Sequence, residues 1–426
     1  MKTRFFSMVV CLFAAFSFVL PCSQVLAEDP IVIGAPLSTA FLYGWDAERG
    51  MTLAIEEINA QGGINVGGVK RPFKLEVIDT RDLEPGVPVS EALLVVEKLI
   101  LEKKADFLVG GPVRSEAALA TMDLLAKYKK VSILTTGVLT PAYHKRVAED
   151  YDKYKYAFRI SGEAVWMVTG EMIPCLVEIG QKYNLDRLFI MIQDVAHARG
   201  GGGLIAKIMK EKGWTIVGDN PEIFPTGTTD FSMGLLKARR EKAQVILIWM
   251  DMPQTSILLK QWHDMKIPAL PFGSIVGAGE EPGFWKASEG KGEFVLANVV
   301  NAGNAPSEAT PWTMKFVNAY KKRWNLEPEG YGTSSSYMAP YVLKAAIEKA
   351  GTLDSDAVVA ALEKTDMMGV YGRIRFDPKS HQIIPSVDPN EGAVGTVFQW
   401  QAGKRVVVFP PSIATGEILL PPWMKK

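Results

Sequence analysis

The sequence predicts an α/β protein built from two doubly wound lobes. From residue 31 onward, short β-branched runs alternate with longer helical patterns, as in βα units around a mostly parallel sheet. The same order of elements begins again near Phe158. A chain of 426 residues, of which 48% are hydrophobic and 22% charged, can bury two such cores.

The first half is predicted to contain four strands separated by three helices. The helix predicted over 50–63 places Met51, Ala54 and Ile58 on one face, and Gly62-Gly63 ends it. The predicted strands are 31–36, 74–80, 106–111 and 131–136, and the other helices are 89–104 and 115–130.

The second half repeats this pattern and then changes. After Asn304 two helices follow one another, and a final pair of strands turns at Ala402-Gly403 as a hairpin. The predicted helices are 165–183, 203–213, 231–242, 311–324 and 336–351, and the strands are 187–194, 215–220, 244–250, 372–378 and 395–411.

Residues 1–27 have the pattern of a secretory signal peptide. Lys2 and Arg4 precede an apolar run over 5–20, and a small residue, Ala27, stands at the expected cleavage position. Two alternatives are a membrane anchor, for which the run is shorter than the ~20 residues of a spanning helix, and a lipid anchor at Cys22. We expect a cleaved, exported chain with no stable membrane insertion.

Composition narrows the possible partners. Lys+Arg and Asp+Glu both number 47, so no basic field exists to gather nucleic acid or an anionic membrane. After signal cleavage Cys175 is the only cysteine, so it cannot form an intramolecular disulfide and is best read as a buried hydrophobe. These features favour a small neutral or weakly charged partner.

Polar residues at strand ends are the first candidates for a binding site, because ligands of open α/β sheets bind at the carboxyl ends of the strands. Thr136-Gly137 and Asp251 follow predicted strands. Ser115 begins a predicted helix after a glycine pair, and we expect it to cap that helix at a site for a carboxylate, with Arg114 beside it. The alternative is a cap without a ligand and a solvated Arg114.

The run 194–204 contains four consecutive glycines but lacks the spacing of a dinucleotide site or a P-loop. It predicts flexible backbone before a helix, from which His197 and Arg199 either contact a ligand or are solvated. The scattered histidines show no metal-ligand spacing, so no metal or cofactor is predicted. No nucleophile motif is present, and no catalytic residue is predicted.

Several segments resemble one family. The stretches 31–64, 110–118 ("GGPVRSEAA"), 140–143 ("TPAY"), 158–162 ("FRISG") and 316–324 ("FVNAYKKRW") look like the periplasmic substrate-binding proteins of branched-chain amino acid and amide ABC importers. This resemblance covers nearly the whole mature chain. It implies the type I periplasmic binding protein fold, in which two Rossmann-like lobes are joined by a three-segment hinge.

The resemblance also implies lobe limits. The N-terminal lobe would comprise 28–153 plus 301–370, and the C-terminal lobe 154–300 plus 371–426. The crossovers would lie near 150–156, 298–303 and 370–372.

Family resemblance implies that Ser115 and the loop 137–139 hold a ligand carboxylate, and that Tyr43 and Trp45 lie in a loop that lines the pocket. Amino-acid binders of the family place a hydroxyl near Leu139 and an acid near Ile275, and both are apolar here. Arg114 adds a cation. The expected ligand-binding residues are Tyr43, Trp45, Arg114, Ser115, Thr136, Gly137, Leu139, His197, Trp249, Asp251 and Ile275.

The expected function is capture of a small carboxylate- or amide-bearing solute in the interlobe cleft and its delivery to an ABC permease in the periplasm, by a monomer. A sensor or regulator of the same fold is a second hypothesis. An exported hydrolase is a third, for which the sequence offers no nucleophile.

Overall fold

The computed structural model describes residues 29–137, 140–162, 164–218, 221–274, 279–281, 283–328 and 330–424. The predicted signal peptide lies outside these residues. The elements of the first half are, in chain order, β1 (Ile31–Leu37), α1 (Leu42–Ala60), β2 (Ile64–Val66), β3 (Val69–Arg71), β4 (Phe73–Asp79), α2 (Val89–Leu101), β5 (Phe107–Gly110), α3 (Ser115–Tyr128), β6 (Ser132–Leu134), α4 (Ala142–Glu149), α5 (Tyr151–Tyr154) and β7 (Ala157–Arg159).

The second half begins with a short helix that continues through a π-helical turn. Its elements are α6 (Ala164–Trp166), the π turn (Met167–Met172), α7 (Ile173–Tyr183), β8 (Arg187–Gln193), α8 (Ala196–Glu211), β9 (Thr215–Ile216), β10 (Glu222–Phe224), α9 (Ser232–Arg240), β11 (Val245–Trp249), α10 (Thr255–Asp264), β12 (Leu270–Ser274), α11 (Phe284–Ala287), β13 (Leu296–Val299), α12 (Pro311–Trp324), α13 (Thr333–Ala350), α14 (Ser355–Leu362), β14 (Met367–Gly369), β15 (Gly372–Ile374), β16 (Thr396–Gln401) and β17 (Lys404–Phe409). Short 3-10 turns stand at Ala302–Asn304 and Pro422–Met424.

The first sheet is parallel and has the order β4-β1-β5-β6-β7. Its strand β1 lies between β4 and β5 and is buried, since Ile31, Ile33 and Ala35 expose no surface. A continuous apolar run of this kind is typical of a parallel strand covered by helices on both faces. The small antiparallel hairpin β2–β3 lies outside this sheet.

The second sheet has the order β10-β8-β11-β12-β13-β16-β17, with β9 beside β8. Strands β8, β11, β12 and β13 run parallel, whereas β16 and β17 are antiparallel to their neighbours. The hairpin predicted at Ala402-Gly403 is confirmed, with both residues at positive φ. This sheet and the first one give the two-sheet α/β architecture that the alternating pattern predicts.

The chain passes between the sheets more than once. After β13, helix α13 packs along α1 of the first half. Residues 381–383 then pair with β7, where the Arg159 N–H donates to the His381 carbonyl (3.1 Å) and the Ile383 N–H to the Arg159 carbonyl (2.9 Å). The chain enters the second sheet at Thr396. The predicted lobe limits assign 381–383 to the C-terminal lobe, and those limits stay a prediction.

Three elements differ from the expectation in their bounds. Helix α1 begins at Leu42 rather than near residue 50. The strand predicted over 372–378 is only β15, and the one over 215–220 is only β9, with 219–220 outside the described residues. Within the ranges described, no helix combines the length and the apolar character that crossing a membrane requires.

Candidate functional site

Tyr43 brings the two halves of the molecule together. It lies in the first turn of α1, just after β1, and its ring meets that of Tyr331 edge to face with centroids 5.9 Å apart. The same ring packs against the apolar cluster of the second sheet. Burial, together with the nearby carboxylates of Asp251 and Glu280, raises the pKa of the Tyr43 hydroxyl well above its usual value. A neutral hydroxyl therefore stands between the two sheets.

The expectation that Tyr43 and Trp45 lie in a loop is wrong, because α1 already includes both residues. Phe41, in extended backbone, is the N-cap, and the helical turn begins directly after it. The Trp45 ring is covered by the guanidinium of Arg49, which lies one turn further along α1 and 4.5 Å from the ring centroid. This cation–π contact orients the indole.

Thr136 and Gly137 follow β6 and lie beside Tyr43. The Thr136 hydroxyl donates to the Tyr43 carbonyl (3.3 Å), and the Gly137 carbonyl accepts from Arg159 Nη2 (3.3 Å). Gly137 has a φ of +64°, and a Cβ there would lie 2.4 Å from the Val113 carbonyl oxygen. The chain therefore needs glycine at this turn.

The start of α3 differs from the expectation. Arg114 is the N-cap and Ser115 the first helical residue, and the Arg114 side chain makes no capping hydrogen bond, so the prediction that Ser115 is the cap is wrong. The buried Asp82 carboxylate instead accepts from the Arg114 N–H at 2.6 Å. The chain thus places a carboxylate of its own beside the start of α3, and a solute carboxylate held at Ser115 stays a prediction.

The Arg114 guanidinium is engaged by its own neighbourhood. Its Nη1 donates to the Val87 carbonyl (3.2 Å), and its Nε lies 3.9 Å from Glu116 Oε2. These contacts tie the side chain to the loop before α2 and to the first turn of α3. A direct contact of Arg114 with a solute stays a prediction.

Three side chains at the end of β11 and the start of α8 form a hydrogen-bonded chain. Trp249 Nε1 donates to His197 Nδ1 (3.2 Å), and His197 Nε2 lies 3.1 Å from Asp251 Oδ2. An indole N–H can only donate, so Nδ1 is the acceptor and the proton of a neutral imidazole stands on Nε2, directed at Asp251. Burial raises the pKa of Asp251, but the contacts with His197 and Gln193 and a backbone hydrogen bond together outweigh burial, and the pKa falls below its usual value.

Trp249 is only 1% exposed, whereas the His197 and Asp251 side chains are 36% and 34% exposed. The side chains of His197 and Asp251 are therefore open to solvent near Tyr43, and Trp249 lies buried behind them. Gln193, at the end of β8, fixes the Asp251 backbone, since its Oε1 accepts from the N–H groups of Asp251 (3.0 Å) and Met252 (3.2 Å).

The glycine run is helical, and the expectation of flexible backbone over 200–203 is wrong, because α8 begins at Ala196. The reason is packing: a Cβ on Gly201 would lie 2.2 Å from Trp249, and one on Gly202 would lie 2.9 Å from Ile192. Helix α8 can approach the sheet this closely only without side chains at these positions. His197 is consequently held on a helix, and not in a loop.

Sequence reasoning missed Tyr331, Gln193 and Arg159. Tyr331 stands in a glycine-flanked loop before α13, a position that carries no periodic signal. Arg159 is fully buried at the end of β7, where its Nε donates to Ser161 Oγ (3.2 Å). An arginine inside an apolar strand pattern was the available clue, since buried charges require partners.

The remaining predicted residues lie elsewhere. Leu139 and Ile275 are outside the described residues. Over the ranges that the structure describes, no group of three or more His, Cys, Asp or Glu side chains could hold a metal ion. Two surface pockets of about 340 and 210 Å³ lie along α7, away from Tyr43 and Asp251.

Comparison with known proteins agrees with this architecture. The family described as periplasmic binding protein matches residues 34–403, so the chain belongs to the periplasmic binding protein family. It is 27% identical over 392 residues to the Leu/Ile/Val-binding protein BraC3 of Rhizobium johnstonii, covering 89% of this chain and 94% of that protein.

Solved structures share the fold. The substrate binding protein LivJ of Streptococcus pneumoniae, in complex with isoleucine, superimposes with a TM-score of 0.71 at 21% identity, covering 90% of this chain and 100% of LivJ. A solute binding protein of an ABC transporter from R. palustris, in complex with benzoate, gives 0.66 at 16% identity, covering 89% and 96%. The fold is that of the type I periplasmic binding proteins.

Proposed function

We propose that this protein is an extracytoplasmic receptor that captures a small carboxylate- or amide-bearing solute between its lobes and delivers it to the permease of an ABC importer. The observation that carries this proposal is the position of Tyr43, which follows β1 and lies against Tyr331 and the acidic end of β11. A solute held there touches both halves and stabilises the closed form by its higher affinity for it.

The relatives support the transport role and bracket the solute chemistry. LivJ is described with isoleucine and the R. palustris protein with benzoate, that is, an amino acid and an aromatic carboxylate. Both carry a carboxylate on an apolar body. The likeness to these structures establishes the fold, and the choice of solute for this chain belongs to the proposal.

The proposed binding residues fall on the two sides of the cleft. Tyr43 and Thr136 form the side next to the first sheet. His197 and Asp251 form the side next to the second sheet, where Trp249 acts through His197. The complete proposed set is Tyr43, Trp45, Arg114, Ser115, Thr136, Gly137, Leu139, His197, Trp249, Asp251 and Ile275.

The proposal includes a periplasmic location after removal of residues 1–27, a monomeric receptor and no catalytic step. It also includes lobes formed by 28–153 with 301–370 and by 154–300 with 371–426. Hinge closure requires no second copy of the chain.

The test is a ligand screen with the mature chain from Glu28. The protein is unfolded and refolded to remove any solute carried from the cell, and its Tm is measured with amino acids, aromatic acids, short fatty acids, dicarboxylates and amides. A solute at ~100 times its Kd adds about 2.7 kcal/mol to the free energy of unfolding, which is an easily measured shift. Turnover of a bound compound would contradict the proposal, because a receptor releases its solute unchanged.

A further inference from the structure

We propose that Asp251 accepts a hydrogen bond from a nitrogen donor on the solute, and that Trp249, acting through His197, is the positioning residue that presents Asp251 for this role. This inference rests on the proposed function, since it names the chemical group that the same cleft selects. It concerns the side of the cleft formed by β11 and α8.

The first step is the direction of the hydrogen bonds. The Trp249 N–H occupies His197 Nδ1 (3.2 Å), so the Nε2–H of the neutral imidazole points to Asp251 Oδ2 (3.1 Å). Protonating Nδ1 would set two donors against each other. The His197–Asp251 pair therefore carries a net charge of −1 while the Trp249 contact is kept.

The second step is the way in which this geometry is maintained. Trp249 is held against the bare backbone of α8, where a Cβ on Gly201 would lie 2.2 Å from its ring. Gln193 fixes the Asp251 backbone from β8. Trp249 thus stands on a strand, and Asp251, just beyond the strand, is fixed through its backbone, which is the arrangement expected of a preorganised site.

The third step is the charge of the opposite side. The hydroxyl of Tyr43 is neutral. Besides burial, the negative charges of Asp251, Glu280 and Asp46 raise its pKa, so these acidic groups lie near it. A carboxylate of a solute would be repelled at this end, whereas an ammonium or a primary amide would supply the missing positive or donor group. Burial keeps the pKa of the Tyr331 hydroxyl raised overall, although Arg159, the cation beside Tyr331, lowers that pKa.

The experiment uses the full mature chain and matched compounds. Leucine, 4-methylpentanamide and 4-methylpentanoate are probes that share a branched aliphatic skeleton. Phenylacetamide and phenylacetate are probes that share an aromatic one. Their Kd values are measured by calorimetry after refolding, and any solute released from the protein as purified is identified by mass spectrometry. Comparing leucine with the amides shows whether the nitrogen donor is an ammonium group or a primary amide.

We expect a nitrogen-bearing probe to bind at least about tenfold more tightly than the carboxylate with the same skeleton. Asp251→Asn should remove most of this ratio of the two Kd values. Asp152→Asn, on the exposed helix α5, is the matched control and should leave the ratio unchanged. Trp249→Phe keeps an aromatic ring, smaller than the indole, but deletes the N–H that bonds His197, and it should lower the ratio several-fold.

Trp262→Phe is the control for Trp249→Phe, because Trp262 is also buried and donates its indole N–H, to the Ala269 carbonyl (2.8 Å). It should change stability but not the ratio. Carboxylates that bind as well as their nitrogen-bearing partners would overturn the inference and leave the proposed function standing. Trp249→Phe with the parent ratio would overturn the positioning role. Absence of any bound or released solute would overturn the proposed function itself.

Discussion

The imidazole of His381 lies flat on the ring of Phe158, with ring centroids 3.9 Å apart and planes 8° from parallel. This contact joins the segment after β15 to β7 of the first sheet. His381 is fully buried, and its Nε2 lies 3.1 Å from Glu363 Oε1. Burial lowers the pKa of His381, although Glu363 opposes this, and burial lowers the pKa of the neighbouring His144 well below its usual value.

These two histidines predict acid sensitivity. In the unfolded chain their pKa is about 6.5, so the unfolded state binds protons first as the pH falls. Their contribution to stability is present above that value and is lost as the pH falls below it. We expect the free energy of unfolding in urea to fall between pH 7 and pH 5, with a slope of up to about 1.4 kcal/mol per pH unit for each histidine.

His144→Leu should make that slope shallower by removing one titrating group. Its stability relative to the parent should therefore improve as the pH falls from 8 to 5. A variant with the same slope as the parent would show that His144 does not titrate on unfolding.

The contact of α8 with Trp249 predicts that two Gly→Ala substitutions on this helix change the free energy of unfolding in opposite directions. Gly201→Ala introduces a Cβ against the Trp249 ring and should lower the free energy of unfolding by about 1–3 kcal/mol. Gly203→Ala, on the exposed side of the same helix with nothing within 4 Å of its Cβ, should raise it by about 0.5–1 kcal/mol. Urea denaturation measures both, and equal effects would contradict this packing.

The burial of Arg405 leads us to expect a large loss of unfolding free energy when its positive charge is removed. Its side chain on β17 is 3% exposed, pairs with Glu327 (2.9 Å) and donates to the Asn304 carbonyl (3.0 Å). Arg405→Met leaves these acceptors without this donor and should cost about 2–4 kcal/mol of unfolding free energy. Glu327→Gln, at a carboxylate 35% exposed, should cost about 1 kcal/mol or less at neutral pH.

The pH dependence of the second variant has a definite sign. Burial raises the pKa of Glu327, but the charges and hydrogen bonds of Arg405 and Lys321 together outweigh burial, so the pKa in the folded protein is lowered. The pair's contribution is present above the unfolded pKa of about 4.3 and is lost as the pH falls through the lower folded value. The difference between parent and Glu327→Gln should therefore shrink in acid, and a difference that grows would contradict the assignment.

Cys175 provides a probe of unfolding. It is fully buried on α7, and burial raises the pKa of its thiol, so little reactive thiolate forms. We expect the native mature chain to react with a thiol reagent only at the rate of unfolding, and the urea-unfolded chain to react at once. Rapid labelling of the native protein would contradict the burial of Cys175 in the apolar cluster of the second sheet.

The sequence was informative where burial repeats regularly along the chain. β1 and β11 were predicted within a residue or two, because continuous apolar runs between turn signals are read directly. The hairpin at Ala402-Gly403 was predicted for a similar reason, since positive φ at a turn selects such residues.

The differences arise from tertiary contacts. Glycine weakens an isolated helix, so 200–203 was predicted as flexible, and only the presence of Trp249 against Gly201 makes glycine the required residue. Likewise, no local signal shows that Asp82 supplies the anion at the start of α3. The hydrogen-bonded chain of Trp249, His197 and Asp251 forms because the end of β11 meets the start of α8. The spacing of these residues along the sequence does not encode that contact.

Among the described residues, 381–383 pair with the outer edge of β7, and the ribosome adds them long after β7 itself. Until they arrive, the N–H and C=O groups of that edge have no strand partner, and open edges of this kind pair readily with other chains. Helix α13, which covers α1, is also made late. The first sheet therefore cannot complete its fold on a short nascent chain, and synthesis that stops before residue 381 leaves a template for aggregation.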